Sequence, residues 1–191
     1  MRNNDFNRRT FLKTSLLGTA GALFANKMRG SESIKSIHTE GKKGRVVKRK
    51  LGNTDIELPV VSFGVMRADN PNLIKAAMDT KIEFFDTAHG YQNGNNEKML
   101  GEVLKDYPRN SFKIATKVGS RNKKEFLNRL DTSLERLQMD YVDILYSHAV
   151  SSRDDVLSEE VIDALKTAKS QGKTRYIGVS THSNEPEVIK A

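Results

Sequence analysis

Residues 83–97 read EFFDTAHGYQNGNNE, and how this stretch is read decides the fold. An apolar run holding Phe84 and Phe85 stops at Asp86, and a turn of small and polar residues then carries Tyr91. A buried strand that ends on a carboxylate and, one turn later, a phenol suits the C-terminal mouth of a parallel α/β barrel, the face where such barrels collect their reactive groups. The same residues also read as a strand end followed by a solvated turn. The surrounding chain decides between the two.

Working outward, extended and helical segments alternate. Residues 46–61, VVKRKLGNTDIELPVV, form two short extended runs about Gly52-Asn53-Thr54-Asp55, a hairpin signal. A buried strand is predicted over 60–66, with Gly64 and Met66 at its mouth. Leu73, Ile74, Ala77 and Met78 recur at helical spacing and predict a helix over 71–80. After the strand at 83–88, Asn95 or Asn96 can cap a helix whose inner face holds Met99, Leu100, Val103 and Leu104. KIATKV, 113–118, is a third strand with Lys117 near its end. The clearest helix is 123–137, its stripe marked by Phe126, Leu127, Leu130, Leu134 and Leu137. A fourth strand, 142–148, ends in His148. Ser158 caps a helix with Glu159 and Glu160 in its first turn, where negative charge suits the helix dipole, and Gly172 stops it. Residues 176–180 form a fifth strand and 185–191 open a fifth helix.

Strict β–α alternation with short connections marks a parallel sheet covered by helices. A doubly wound sheet is the main competitor, but no GxGxxG stands at an early strand-to-helix turn, so the dinucleotide phosphate loop of that fold is missing. Polar residues at successive strand ends favour the barrel.

Four of those residues make a chemical set: Asp86, Tyr91, Lys117 and His148. A phenol, with an ordinary pKa near 10, is a poor acid at neutral pH. A neighbouring ammonium favours the phenolate, and a carboxylate behind that ammonium keeps it charged and oriented. A histidine beside them can donate a hydrogen bond to a carbonyl. The set suits proton delivery to a carbonyl oxygen as hydride reaches its carbon. Each residue also has a plainer reading, as a turn cap, a solvated lysine or a satisfied strand-end histidine. Their joint occurrence at successive strand ends favours the site.

At these residues the chain resembles the aldo-keto reductase family, from about Leu51 onward. Asp86, Thr87, Ala88, Tyr91, Gly94 and Glu97 follow the family's DTAxxYxxGxxE pattern with an extra residue in some spacings. SLERLQMDYVDILYSH, 133–148, is similar to its helix–strand signature, and GKTRYIGVS, 172–180, to the segment leading into its fifth strand. The resemblance implies a (β/α)8 TIM barrel of the aldo-keto reductase type, of which this chain holds about the first five β/α units. It also implies an NAD(P)H-dependent oxidoreductase that interconverts a carbonyl and an alcohol, using NADPH rather than NADH and no metal. Tyr91 would be the general acid, tuned by Lys117 and Asp86, with His148 orienting the carbonyl. Ser180 would lie near the nicotinamide carboxamide, and Gly64, Met66 and Asp86 are further candidates for cofactor contact. Where the family often has Asn after that serine, Thr181 and His182 follow, an ending that resembles a bacterial branch. His89, His182 and Glu97 lack metal-ligand spacing. A non-catalytic, nucleotide-sensing or interaction protein on the same fold is the alternative.

Composition narrows the partners. Hydrophobic residues make up 37% and charged residues 29%, which fits a globular chain rather than a disordered one. The net charge of +8 is local: residues 1–50 hold 13 Lys or Arg against 3 acids, whereas 51–191 hold 19 against 21. That distribution speaks against nucleic acid, and the resemblance implies a small-molecule carbonyl or alcohol substrate. No cysteine is present, which excludes disulfides, thiolate metal sites and a Cys nucleophile. Asn7-Arg8-Arg9-Thr10-Phe11-Leu12-Lys13 precedes the mildly apolar TSLLGTAGALFA, with no acid between Asp5 and Glu32. This resembles a twin-arginine signal leader over 1–30, with a polar linker over 31–45 and the barrel portion over 46–191. It predicts export to the periplasm of a bacterium, with membrane contact only through the leader. The chain reaches Ala191 inside a helix, before strands six to eight of such a barrel. An N-terminal portion of a longer enzyme, or an inactive truncated remnant, is therefore expected, binding NADPH weakly or not at all as a free chain.

Overall fold

Alternate residues of each central strand face opposite ways, and the two faces are filled differently. The structure, a computed structural model, describes residues 46–191; the leader and linker expected over 1–45 lie outside them. Strands β1 (Lys48–Lys50) and β2 (Glu57–Pro59) form an antiparallel hairpin. Five further strands follow: β3 (Phe63–Gly64), β4 (Phe84–Asp86), β5 (Lys113–Val118), β6 (Val142–Ser147) and β7 (Thr174–Val179). Helix α1 (Pro71–Asp79) joins β3 to β4, and α2 (Asn95–Leu104) joins β4 to β5. Helix α3 (Lys123–Leu137) joins β5 to β6, while α4 (Arg153–Leu157) and α5 (Glu159–Ser170) join β6 to β7. Helix α6 (Glu185–Lys190) follows.

The five strands are parallel and lie in strictly sequential order, β3-β4-β5-β6-β7. A doubly wound sheet reverses its order at a switch point; this one does not, so it is the arc of a singly wound barrel. Phe85, Ile114, Val118 and Leu145 face the helices and pack with Ile74, Leu100, Phe126, Leu130 and Leu137. Phe84, Ala115 and Ile144 face inward, where Ile56 from the hairpin, only 1% exposed, closes the lower end of the sheet. Burying each such aliphatic or aromatic side chain contributes roughly 1.5–3 kcal/mol. The hairpin is fastened electrostatically as well. Asp55 accepts from Arg175 at 2.6 Å and from the Tyr176 hydroxyl at 2.6 Å, and Arg175 reaches the buried Asp143 at 3.0 Å.

Local signals set most helix boundaries. Asn70 and Asn122 accept from the amides of Asn72 and Glu125, capping α1 and α3. Two expectations are corrected and one helix is added. The strand predicted over 60–66 shortens to Phe63–Gly64 because the Val60 amide bonds the Val47 carbonyl (2.9 Å), which extends the hairpin and draws Val60 off the sheet. Helix α2 begins at Asn95 and is entered through Gly94, at φ +86, so neither Asn95 nor Asn96 caps it as expected, and the Asn96 amide is buried in other contacts. Helix α4 was not foreseen, although Ser152 accepting from the Asp155 amide at 3.1 Å follows a sequence pattern of Ser three residues before an acid.

Candidate active site

Asp86 is the last residue of β4, but the chain stays paired beyond it. The amides of Thr87 and His89 donate to the carbonyls of Ala115 and Lys117 at 2.9 and 3.0 Å, which holds the β4 extension against β5. A tight turn then brings the Tyr91 amide to the Ala88 carbonyl (3.0 Å), and Gln92 and Asn93 take left-handed backbone angles. The Gln92 side chain donates to the carbonyls of Met66 and Ala68 at 3.1 and 3.0 Å, tying this turn to the loop after β3. Below it, Asn96 donates to the Val65 carbonyl at 2.6 Å and accepts from the Thr87 hydroxyl at 2.6 Å. The turn that carries Tyr91 is thus anchored on two sides.

Lys117 lies on the inner face of β5, level with Tyr146 of β6, and is only 7% exposed. Its ammonium donates to the Asp86 carboxylate, to the Thr87 carbonyl at 2.7 Å and to the Tyr91 hydroxyl at 3.4 Å. The three donors of an ammonium are thereby matched to three acceptors. His148 follows β6, with its amide bonded to the Val118 carbonyl at 2.9 Å. Its ring meets Tyr91 edge-on, 5.9 Å between centroids. All four residues expected to act together are brought together.

The surroundings set charge states. Burial, then Lys117 and His182, push the His148 imidazole below its ordinary 6.5, opposed by Asp86, so the ring is neutral at pH 7. Burial and the Asp86 carboxylate push the Tyr146 phenol up, so it stays protonated. Only one phenol of this face, Tyr91, touches the ammonium.

The other candidates are spread around the rim. Gly64 pairs in register with Asp86, and nothing lies within 4 Å of where its Cβ would stand. Met66 is exposed on the clamped loop beyond it. Ser180 follows β7, its oxygen accepting from the Ala149 amide at 3.2 Å, where Ala149 has a left-handed φ of 54°. His89, His182 and Glu97 do not converge. His89 Nδ1 lies 3.1 Å from the Ser133 hydroxyl, and Glu97 accepts from Thr116 and Arg136. His182 stands beside His148, 6.5 Å between ring centroids. Gln92, Thr116 and Arg136 were not singled out from the sequence, and Asn96 was read only as a helix cap. Only the polar run QNGNN marked two of them.

Residues 62–190 match the model of the Aldo/keto reductase family, and the chain belongs to that family. It is 39% identical over 157 residues to L-galactose dehydrogenase of Arabidopsis thaliana, a match covering 71% of this chain and 49% of that protein. It is 31% identical over 165 residues to L-glyceraldehyde 3-phosphate reductase of Escherichia coli (strain K12), covering 74% of this chain and 47% of that one. Among solved structures, the aldo-keto reductase AKR11C1 of Bacillus halodurans, in its holo form, superposes with a TM-score of 0.66 at 32% identity, over 76% of this chain and 53% of that one. The chain spans about half the length of the curated relatives it matches.

Proposed function

We propose that the chain carries the proton-delivery site of an oxidoreductase that interconverts a small carbonyl compound and its alcohol, with NADPH as the reductant. The observation that carries this reading is the Lys117 ammonium, which donates at once to Tyr91, Asp86 and the Thr87 carbonyl beside the His148 ring.

Tyr91 gives its hydroxyl proton to the carbonyl oxygen as the C–O double bond becomes single. Lys117 faces the oxygen that is left as phenolate, and Asp86 keeps the ammonium charged and aimed. His148, neutral, donates a ring N–H to the same carbonyl oxygen and so fixes the substrate's orientation. When bound, the nicotinamide supplies the hydride that reaches the carbonyl carbon. The donor set at the rim suits that group. The Ser180 oxygen accepts from Ala149, which leaves its O–H free to donate to a carboxamide oxygen. The open face at Gly64 leaves room for a flat ring.

Export by the twin-arginine route to the periplasm belongs to the same reading and rests on Arg8, Arg9 and the apolar stretch after them. Tyr91→Phe tests the chemistry. Reduction of a small aldehyde by the folded protein should fall by about 10²-fold or more, the usual worth of a positioned proton donor. Unchanged turnover would remove Tyr91 from the mechanism.

A further inference from the structure

We propose that the pair of buried Glu97 and half-buried Arg136 is the positioning device that sets the separation of Tyr91 from Lys117. The proposal rests on the reading of Tyr91 as proton donor. The side chain of Glu97 is fully buried, yet it touches none of the four reactive groups. One carboxylate oxygen accepts from the Thr116 hydroxyl at 2.7 Å, on the residue immediately before Lys117. The other accepts from Arg136 at 3.3 Å, and the same guanidinium nitrogen donates to the His89 carbonyl at 2.9 Å, two residues before Tyr91. One carboxylate is therefore bonded to the strand that holds Lys117 and, through one guanidinium, to the turn that holds Tyr91.

Both ends of Arg136 are held in place. At Gly94, which ends the turn, a Cβ would stand 2.3 Å from the Arg136 guanidinium carbon. At Gly101, on α2, a Cβ would stand 2.5 Å from the Arg136 carbonyl oxygen. These two glycines let α2 and the turn close directly onto α3. Stability alone does not explain the pair, because an ion pair with a buried carboxylate exchanged for well-packed apolar side chains is often neutral or stabilising. Directed hydrogen bonds to a strand and a turn give what apolar packing cannot, a fixed offset between them. The Lys117–Tyr91 contact of 3.4 Å is long for a hydrogen bond, so small displacements of the turn break it.

The test uses the whole chain with isotope-labelled tyrosine rings observed by NMR, the Tyr91 signal being assigned by its loss in Tyr91→Phe. In Arg136→Met the Tyr91 signal should move while the signals of Tyr146 and Tyr176 hold, and Arg136→Lys should restore it in part. If Arg136→Met does not fold, the neutral pair Glu97→Gln with Arg136→Gln takes its place, with the same displacement expected. An unmoved Tyr91 signal in a folded variant overturns the proposal. In turnover, Arg136→Lys should lower kcat about tenfold or more, as misplaced reactive groups do, with KM changed less than about twofold. A loss of thermal stability with wild-type kcat would make the pair merely structural. If instead Tyr91→Phe keeps full turnover, the proton-donor reading fails, and the displacement of the ring signal still decides the positioning claim.

Discussion

The guanidinium carbon of Arg136 lies 2.3 Å from the point where a Cβ on Gly94 would stand, and Gly94 itself has φ +86. An alanine at 94 meets both obstacles, a left-handed backbone and an occupied space. Gly94→Ala should therefore lose about 1–3 kcal/mol of unfolding free energy. Urea denaturation measures it, and an unchanged midpoint would show that Arg136 yields freely.

Asp143 is the corresponding anchor at the opposite end of the strands. Its buried carboxylate accepts from Arg109 at 2.8 Å, Arg175 at 3.0 Å and the Ile114 amide at 3.0 Å. Removing it leaves two guanidinium groups without their shared anion, so Asp143→Ala should cost about 3–5 kcal/mol. Because the residue sits away from the mouth, turnover per folded molecule should stay as in the parent. Denaturation and a rate measurement on the same sample separate the two effects.

Two histidines give stability a pH slope. His148 is pushed below 6.5 by burial, then Lys117 and His182; His89 is pushed below it by burial and Arg136, against Glu97. Between those lowered values and 6.5 the unfolded chain holds more protons than the folded one, so stability rises with pH through that window and falls on acidification. Above it both states are neutral and the slope vanishes. The denaturation midpoint should be lower at about pH 5.5 than at about pH 7.5. In His89→Gln with His148→Gln the difference should shrink, and a difference left intact would assign the slope to other groups.

The proposed twin-arginine leader makes a prediction independent of the fold. Arg8→Lys together with Arg9→Lys preserves charge but removes the arginine pair, and should leave the protein in the cytoplasm of a bacterial host. Cell fractionation reads the result, and undiminished export would assign the leader to the general secretory route.

The amino-acid sequence by itself determined what short-range physics encodes. The period of apolar residues in 123–137 matched α3 end to end, and the run 113–118 matched β5 residue for residue. Asp86, Tyr91, Lys117 and His148 were legible because each ends or follows an apolar strand, and parallel strands bring their ends to one face. Only the tertiary structure decided what depends on partners far along the chain. Glu97 and Gly94 stood as matches to a family pattern and Arg136 only inside a helix, and nothing local shows that the two charges meet 39 residues apart or that Gly94 is needed to admit the guanidinium. The strand over 60–66 was overcalled for the same reason, since its outcome turned on competition between Val47 and the sheet for one amide. Hydrophobic periodicity is set by neighbours three or four residues away, whereas buried polar contacts are chosen among whatever packing brings within reach.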